Sequence, residues 1–321
     1  MEEQYPLITL AIPVYNTDEF LENCLKSAII QDYPNLEILI LNNGSTDNSQ
    51  AIIDKFAKED KRIVKYIIDH LETDKESKDN TYYLAKGDWI VPLDSDDAIE
   101  PGYISTMWKR HIETDADIVV GIMQSVDPNG NKYGKIPSDS FDKNQIITGK
   151  EAVSRTLGKW EFGLNGMLSR KRHFVNSSVN NPNCQFYSSE VDTRYFLREA
   201  GTVAFTNAIY FHTVNPNSVG QKPRWYKFKY KIDTRRGLFP IVIDDFGNKS
   251  KEYGRLLYES LGVILLSVNY VRRNKSNMTN EEYAEYKALT NDLYSKIEIK
   301  SLKHFYYYPV KLFTRIAMSL V

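Results

Sequence analysis

The sequence predicts an α/β fold in which helices flank a mostly parallel sheet, followed by a C-terminal helical region. Over the first 110 residues, short apolar runs alternate with stretches of helical periodicity at a spacing of about 30 residues. This alternation indicates βαβ units with right-handed crossovers. After Pro223 the pattern changes to helices. We therefore expect one sheet-containing domain over residues 1–223 and a helical domain over residues 224–321.

Four apolar runs predict the strands of the first half of the sheet. They are short and rich in β-branched residues, as in strands that are buried on both faces. The predicted strands are residues 7–13, 36–41, 62–68 and 89–93. An apolar stripe that includes Leu21, Cys24 and Leu25 predicts a helix beginning at Asp18, and a second helix is predicted over residues 48–58.

The later elements are predicted from the same kinds of pattern. A helix is expected over residues 101–113, with Pro101 in its first turn, and a fifth strand over residues 117–123. Residues 125–145 are polar and contain glycine, which indicates a surface loop. A helix beginning near Ser188, a closing strand and two C-terminal helices complete the prediction, the last three at residues 203–211, 252–273 and 279–297.

The composition excludes several classes of protein. A chain of 321 residues can bury a large core, and its formal net charge of -1 provides no basic field for nucleic acid. Two cysteines, Cys24 and Cys184, are too few for a disulfide framework. The N-terminus lacks the pattern of a signal peptide, and no stretch reaches the roughly 18 apolar residues of a spanning helix. We expect a cytoplasmic protein without a nucleic-acid partner.

Polar clusters follow three of the predicted strands. They are residues 14–16, 42–45 and 94–97, which read Val-Tyr-Asn, Asn-Asn-Gly-Ser and Asp-Ser-Asp-Asp. Ligands of parallel α/β sheets bind beyond the carboxyl ends of the strands. The three clusters are therefore expected to converge on one crevice.

The third cluster suggests a metal site. Asp94, Asp96 and Asp97 place three carboxylates within four residues at the end of a buried strand, where repulsion and desolvation are costly. A Mg²⁺ or Mn²⁺ ion would neutralise them, and such ions are often held by one or two carboxylates together with substrate phosphates. The alternative is a solvated strand-to-helix turn, with Ser95 or Asp97 capping a helix near Pro101.

Three segments together carry a family resemblance. ITLAIPVYN, LEILILNNGSTDNS and AKGDWIVPLDSDDAIEPGYI resemble the nucleotide-sugar domain of family 2 inverting glycosyltransferases, which have the GT-A fold, over roughly residues 5–110. The resemblance implies a nucleotide-sugar half at residues 1–110 and an acceptor half at residues 111–223. It also implies roles near the nucleobase, ribose and diphosphate for Pro13, Tyr15, Asn16, Asn42, Asn43, Ser45, Asp94 and Ser95. Asp96 would bind the metal, with Asp94 in support.

Two departures from the family pattern bear on the donor. Asn42 and Asn43 stand where relatives more often carry an acidic pair, but an asparagine oxygen can still accept a hydrogen bond from uracil, so a UDP-linked donor is expected. Lys78 falls where relatives carry an arginine and could contact the diphosphate as a point charge. The alternative is that residues 75–80 form a solvated charged loop.

The acceptor half contains a candidate general base. Inversion requires a group that deprotonates the attacking hydroxyl, usually a carboxylate. Asp192, Tyr195 and Arg198 keep the family spacing of acid, aromatic and arginine, while Val191 replaces a first acid. The resemblance therefore implies Asp192 as the base, with Glu190 as the second candidate. The alternative is that both acids only favour the helix macrodipole.

Two further residues are weaker candidates. His212 lies where a histidine or arginine of relatives can reach the metal, but its spacing is one residue off the commonest family pattern, which favours a plain loop histidine. Trp160 could stack on a sugar ring or belong to the core. The aromatic and basic stretch at residues 301–321 could lie on an anionic membrane, form a homo-oligomer contact or dock on the catalytic domain.

The predicted function is a metal-dependent inverting glycosyltransferase of the bacterial surface or protein glycan type. It would use Mn²⁺ or Mg²⁺ to move a sugar from a nucleotide-diphosphate sugar to a hydroxyl of a glycan, a glycoprotein or a lipid-linked acceptor. A sugar nucleotidyltransferase would need a glycine-rich, arginine-bearing loop after the first strand, which VYNTDEF does not provide. A non-catalytic scaffold or glycan-binding module remains the other alternative.

Overall fold

A computed structural model describes residues 5–71, 73–127, 130–180, 188–214 and 225–297. The chain forms two compact units. The first unit consists of Met1–Thr156, Trp160–Asn180 and Tyr195–Ser218, and the second of Leu157–Lys159, Asn181–Arg194 and Val219–Val321. Cys184 and the aromatic C-terminal stretch at 301–321 lie outside the described residues.

The first unit is built on a single sheet, to which ten strands of the described residues contribute. The strands are β1 Ile8–Val14, β2 Leu36–Asn43, β3 Ile63–Ile68, β4 Trp89–Pro92, β5 Ala98–Ile99, β6 Ile118–Val126, β7 Lys132–Ile136, β8 Ile146–Thr148, β9 Leu168–Arg170 and β10 Thr202–Thr213. Their order is β3-β2-β1-β4-β9-β6-β10-β5, with β7 paired to β6 and β8 to β10. The predicted α/β class is confirmed.

The sheet is parallel where the sequence pattern is strongest. Strands β3, β2, β1 and β4 are mutually parallel, and β10 runs parallel to β6. The pairs that involve β5, β7, β8 and β9 are antiparallel, so the sheet is mixed. Every residue of β1 and β2 is buried, and both strands are apolar up to their polar ends except at Thr9 and Glu37, where the Thr9 hydroxyl donates to the Glu37 carboxylate at 2.6 Å.

Helices cover the sheet of the first unit. They are α1 Asp18–Ile29, α2 Ser49–Glu59, α3 Asp74–Leu84, α4 Tyr103–Thr114, α5 Gly149–Thr156 and α6 Lys171–Asn180. One apolar core joins the inner faces of α1, α2 and α4 to the strands and includes Leu21, Leu25, Phe56 and Met107. Because these residues recur at helical spacing, the three helices could be predicted from the sequence.

Three local expectations are corrected by the structure. Residues 75–80 do not form a loop, because Thr73 and Glu76 make a capping box that starts α3. The segment 125–145 contains β7, which forms a hairpin with β6, although most of β7 is exposed. Pro101 precedes α4 instead of lying in its first turn, since Gly102, in the left-handed conformation, caps that helix.

The second unit contains three long helices, α8 Trp225–Phe246, α9 Lys251–Asn274 and α10 Asn280–Ser295. The predicted capping box at Thr279 is present and starts α10. Helix α7, Ser188–Glu199, carries the two acids of the predicted base region, and its residues up to Arg194 belong to this unit. Within the described residues, no helix combines the length and apolarity needed to cross a membrane.

Candidate active site

The segments that follow β1 and β2 are joined by reciprocal hydrogen bonds. The Asn16 amide donates to Ser45 Oγ at 3.1 Å, and the Thr46 amide donates back to Asn16 Oδ1 at 2.8 Å. The Ser45 amide also donates to Asn42 Oδ1 at 2.9 Å, which folds the turn after β2. The structure thus brings together Asn16, Asn42 and Ser45 as predicted, in a rigid polar rim next to buried Pro13 at the end of β1.

Asn43 joins the end of β2 to the segment after β3. Its Oδ1 accepts the Leu71 amide at 2.7 Å, and its Nδ2 donates to the Leu71 carbonyl at 3.3 Å. Asn43 therefore orients the chain that follows β3. Since a carboxylate could accept from the Leu71 amide but could not donate to its carbonyl, asparagine suits this position.

A stacked aromatic pair lies beside this rim. The rings of Tyr15 and His70 are parallel, with centroids 4.2 Å apart and an interplanar angle of 17°. His70 is held by a contact of 3.2 Å between its Nδ1 and the Asn43 carbonyl oxygen. Tyr15 is 45% exposed, so the pair offers a flat aromatic surface at the crevice. His70 was missed from the sequence, although its place just beyond the carboxyl end of β3 was a usable signal.

Asp97 anchors the acidic turn, which is formed by residues 94–97, to strand β10. It is fully buried and accepts hydrogen bonds from the Tyr210 hydroxyl at 2.7 Å and from the Thr213 amide at 2.8 Å. Its Oδ2 also lies 3.2 Å from His212 Nδ1. Burial raises the pKa of Asp97, while the hydrogen bond with His212 opposes that rise. Asp97 therefore holds the turn in place and does not cap α4.

Asp94 and Ser95 are held by neighbours in the first unit. Lys78 Nζ lies 3.0 Å from Asp94 Oδ1, and the Asp94 amide donates to the Tyr210 hydroxyl at 3.1 Å. The hydroxyl of Thr17 donates to Ser95 Oγ at 3.0 Å, which links the turn to the start of α1. The structure thus places Lys78 beside Asp94, and its predicted contact with the diphosphate stays a prediction.

Asp96 differs from its two acidic neighbours because it makes no ion pair with any residue that the structure describes. Burial, followed by the negative charges of Asp97 and Asp94, raises the pKa of Asp96 to about 6. A dication at this carboxylate would remove that penalty. No set of three or more acidic, histidine or cysteine side chains gathers for a metal among the described residues. This donor set fits an ion that takes its remaining ligands from a diphosphate and water.

His212 is oriented by the acidic turn. Its contact with Asp97 raises the pKa of His212, because the negative carboxylate favours the protonated ring. The side chain remains 40% exposed. Trp160 is half-buried in the segment between α5 and β9 of the first unit. The roles predicted for these two side chains, on the metal and on the sugar, stay predictions.

The predicted base region lies in the second unit, at the N-terminal part of α7. Asp192 is 8% exposed, and Glu190 forms an ion pair of 3.0 Å with Arg235 of α8. Arg235 also lies 3.4 Å from a carboxylate oxygen of Glu259 in α9. Glu190 is therefore engaged in an ion-pair network, and its partners could not be predicted because they are distant along the chain.

Comparisons with known proteins agree with this geometry. The model of the family described as glycosyl transferase family 2 matches residues 9–196, which is more than half of the chain. Glycosyltransferase GlyG of Streptococcus pneumoniae serotype 4 (strain ATCC BAA-334 / TIGR4) is 28% identical over 283 residues. That alignment covers 86% of this chain and 89% of the relative.

Two solved structures resemble the fold. S. aureus TarS 1-349 in complex with UDP-GlcNAc superposes with a TM-score of 0.67 at 13% identity, covering 97% of this chain and 88% of the other. The mannosyltransferase PcManGT from Pyrobaculum calidifontis, in complex with GDP-Man and Mn²⁺, gives a TM-score of 0.51 at 12% identity, covering 99% and 87%. At these identities the likeness concerns the fold.

Proposed function

This chain belongs to glycosyl transferase family 2 and is a glycosyltransferase, and from that premise we propose that it uses a UDP-linked sugar, depends on Mn²⁺ or Mg²⁺, and inverts the anomeric carbon. The observation that carries the proposal is Asp96, a carboxylate just beyond the end of β4 that is largely buried, has a pKa raised to about 6 and makes no ion pair with any described residue. The other acids of the turn are compensated by protein groups, so a ligand is left to compensate this one.

The donor nucleotide is proposed to occupy the rim formed by the ends of β1, β2 and β3. The exposed face of the Tyr15–His70 pair suits stacking on a nucleobase, and Asn43 keeps one lone pair on Oδ1 for a base imide. Pro13, Asn16, Asn42 and Ser45 shape the rim and hold its backbone. UDP-GlcNAc in the TarS complex supports the choice of a uridine donor.

The acidic turn is proposed to bind the ribose and diphosphate. Asp94 and Ser95 would accept from or donate to the ribose, which requires Lys78 to exchange its contact with Asp94 for one with the diphosphate. Asp96, with Asp94 and His212 in support, would hold the metal. When bound, the metal stabilises negative charge on the departing diphosphate. The Mn²⁺ of the PcManGT complex supports this choice of ion.

Asp192 is proposed as the general base. It would accept the proton of the acceptor hydroxyl as that oxygen forms its bond to the anomeric carbon, while the bond from that carbon to the nucleotide diphosphate breaks. Its support is the match of the family model through residue 196 together with its burial, which shields a base from bulk water. Glu190 is the second candidate, but its ion pair with Arg235 favours a structural role.

The acceptor is proposed to be a hydroxyl of a glycan, a glycoprotein or a lipid-linked saccharide. The predicted division into a catalytic domain at residues 1–223, with halves 1–110 and 111–223, and a helical domain at residues 224–321 is part of the same proposal. So are the cytoplasmic location and a contact of the C-terminal helices with a membrane surface or a second copy. The alternative of a non-catalytic scaffold or glycan-binding module has less support, because the family model of glycosyl transferase family 2 matches more than half of the chain.

The proposal is tested with the purified full-length chain. Nucleotide diphosphates and their sugars are titrated by calorimetry with Mn²⁺ and with EDTA, and donor hydrolysis and transfer are followed on a panel of saccharide acceptors. We expect UDP to bind at least about tenfold more weakly in EDTA, and Asp192→Asn to lower kcat by about 10²- to 10⁴-fold with UDP affinity retained. UDP affinity that is unchanged in EDTA would refute the role of the metal. A fully active Asp192→Asn variant would refute the assignment of Asp192 as the base.

A further inference from the structure

Helix α7 is fixed to α8 at two adjacent residues next to Asp192. Glu190 Oε2 forms an ion pair of 3.0 Å with Arg235, and Val191, which is 1% exposed, packs against Gly237. A Cβ atom on Gly237 would lie 3.2 Å from Val191 Cγ2, so glycine permits this close approach of the helices. All four residues belong to the second unit.

A second acidic side chain, Glu259 of α9, contacts the arginine of this ion pair. Arg235 places one nitrogen on Glu190 and another 3.4 Å from Glu259, and its side chain is only 15% exposed. Glu259 packs against Gly158, where a Cβ would overlap its carboxylate at 1.5 Å. Within α7, Arg194 donates to the Glu190 carbonyl at 2.7 Å. Arg235 therefore bridges α7 and α9 from a position that cannot easily shift.

We propose that Arg235 is a positioning residue for catalysis: through Glu190 it fixes the N-terminal turn of α7 and hence the direction of the Asp192 carboxylate. The inference rests on the proposed function, because it takes Asp192 as the base. It also explains the departure at Val191, where an apolar side chain packs on α8 while the acid one residue earlier supplies the clamp. The rate of proton removal depends steeply on the placement of the base.

The main variants are Arg235→Gln, Glu190→Gln and their combination, with Arg235→Lys as the conservative change. We expect Arg235→Gln to lower kcat by about 10- to 100-fold, since a misplacement of about 1 Å costs roughly that much. The donor KM should stay within about twofold, because the lost interaction concerns the transition state. The double variant should lose no more than Arg235→Gln alone, and Arg235→Lys should restore part of the rate.

Arg236→Gln is the matched control. Arg236 neighbours Arg235 on α8 but pairs with Asp233 at 2.7 Å and with Asp292 of α10. The Arg236→Gln variant removes the same charge and comparable ion pairs from the same helix, so it should reproduce any general loss of stability of this unit. Rates are expressed per UDP-binding site, and Arg236→Gln should keep kcat within about twofold of wild type.

A second variant keeps the test independent of the stability of Arg235→Gln. Gly237→Ala pushes against Val191 and should lower kcat several-fold, while the better helix propensity of alanine in α8 offsets part of the packing cost, so that the Tm falls less than in Arg235→Gln. Arg235→Gln and Gly237→Ala with wild-type kcat, beside an inactive Asp192→Asn, would overturn the positioning role alone. A wild-type chain inactive on every donor, or an active Asp192→Asn, would instead overturn the proposed function and this inference with it.

Discussion

Removing the Tyr210 hydroxyl tests the anchor of the acidic turn. This hydroxyl donates to Asp97 Oδ2 at 2.7 Å and accepts from the Asp94 amide at 3.1 Å. Tyr210→Phe deletes both hydrogen bonds while keeping the ring, which is buried. Asp97 would retain the Thr213 amide and His212, so the turn should loosen without unfolding the sheet.

The size of the effect follows from the partners. A hydrogen bond to a buried charged group is worth about 1.5–3 kcal/mol, and one to a neutral amide about 1 kcal/mol. We therefore expect Tyr210→Phe to lower the free energy of unfolding by about 2.5–4 kcal/mol. Tyr103→Phe is the matched control, because Tyr103 is equally buried and donates one hydrogen bond of 2.8 Å to the neutral Gly166 carbonyl. It should cost about 1 kcal/mol.

Urea unfolding of both variants measures the difference, and calorimetry with UDP and Mn²⁺ measures its effect on the site. The pKa of Asp97 should rise further in Tyr210→Phe, because its charged form loses a donor. UDP affinity in the presence of Mn²⁺ should fall, whereas Tyr103→Phe should leave it unchanged. Equal losses of stability in the two variants would show that the bond to the charged carboxylate does not anchor the turn.

Three further predictions concern the same crevice. The pKa of Asp96 is raised to about 6, so its carboxylate should be mostly protonated at pH 5. UDP affinity in the presence of Mn²⁺ should therefore be about tenfold weaker at pH 5 than at pH 7.5. Asp96→Asn should abolish this pH dependence in calorimetry. Lys78→Ala should weaken UDP binding but leave uridine binding within about twofold, since a lysine acts on the diphosphate as a point charge; equal losses for both ligands would contradict that role. Gly44→Ala should lower the free energy of unfolding in urea by at least about 1 kcal/mol, because Gly44 has a φ of 69° and a Cβ there would lie 2.8 Å from the His70 amide nitrogen. An unchanged free energy of unfolding would show that the turn after β2 tolerates a shift.

The parts of the fold that could be predicted are those whose signal is local. Strands β1 and β2 are buried on both faces, so their sequences are mostly apolar, and α1 repeats apolar residues at helical spacing. The meeting of their polar ends also followed, because parallel strands present their carboxyl ends at one edge. Helix α3 was missed since most of its residues are polar, and only the pairing of Thr73 with Glu76 marked its start.

The parts that could not be predicted depend on residues far apart in the chain. The Asp97 carboxylate is neutralised by residues of β10 that lie 113 to 116 positions later. The pairing of Glu190 with Arg235 spans 45 positions and has no periodic signature. Antiparallel strands β5 and β9 are two and three residues long, too short to carry an alternation pattern. In each case tertiary packing decides what the local pattern leaves open.

The three acids of the turn differ in how their charges are compensated, and this difference favours an enzyme over a scaffold. Asp97 is compensated inside the fold by donors of β10, and Asp94 is compensated by Lys78. Asp96 makes no ion pair with any described residue, and burial together with the charges of Asp97 and Asp94 raises its pKa to about 6, against the opposing charge of His212. A glycan-binding surface can hold neutral sugars without a dication. A site that brings a dication to a diphosphate needs a carboxylate that no protein cation already pairs with, and Asp96 meets this requirement among the described residues.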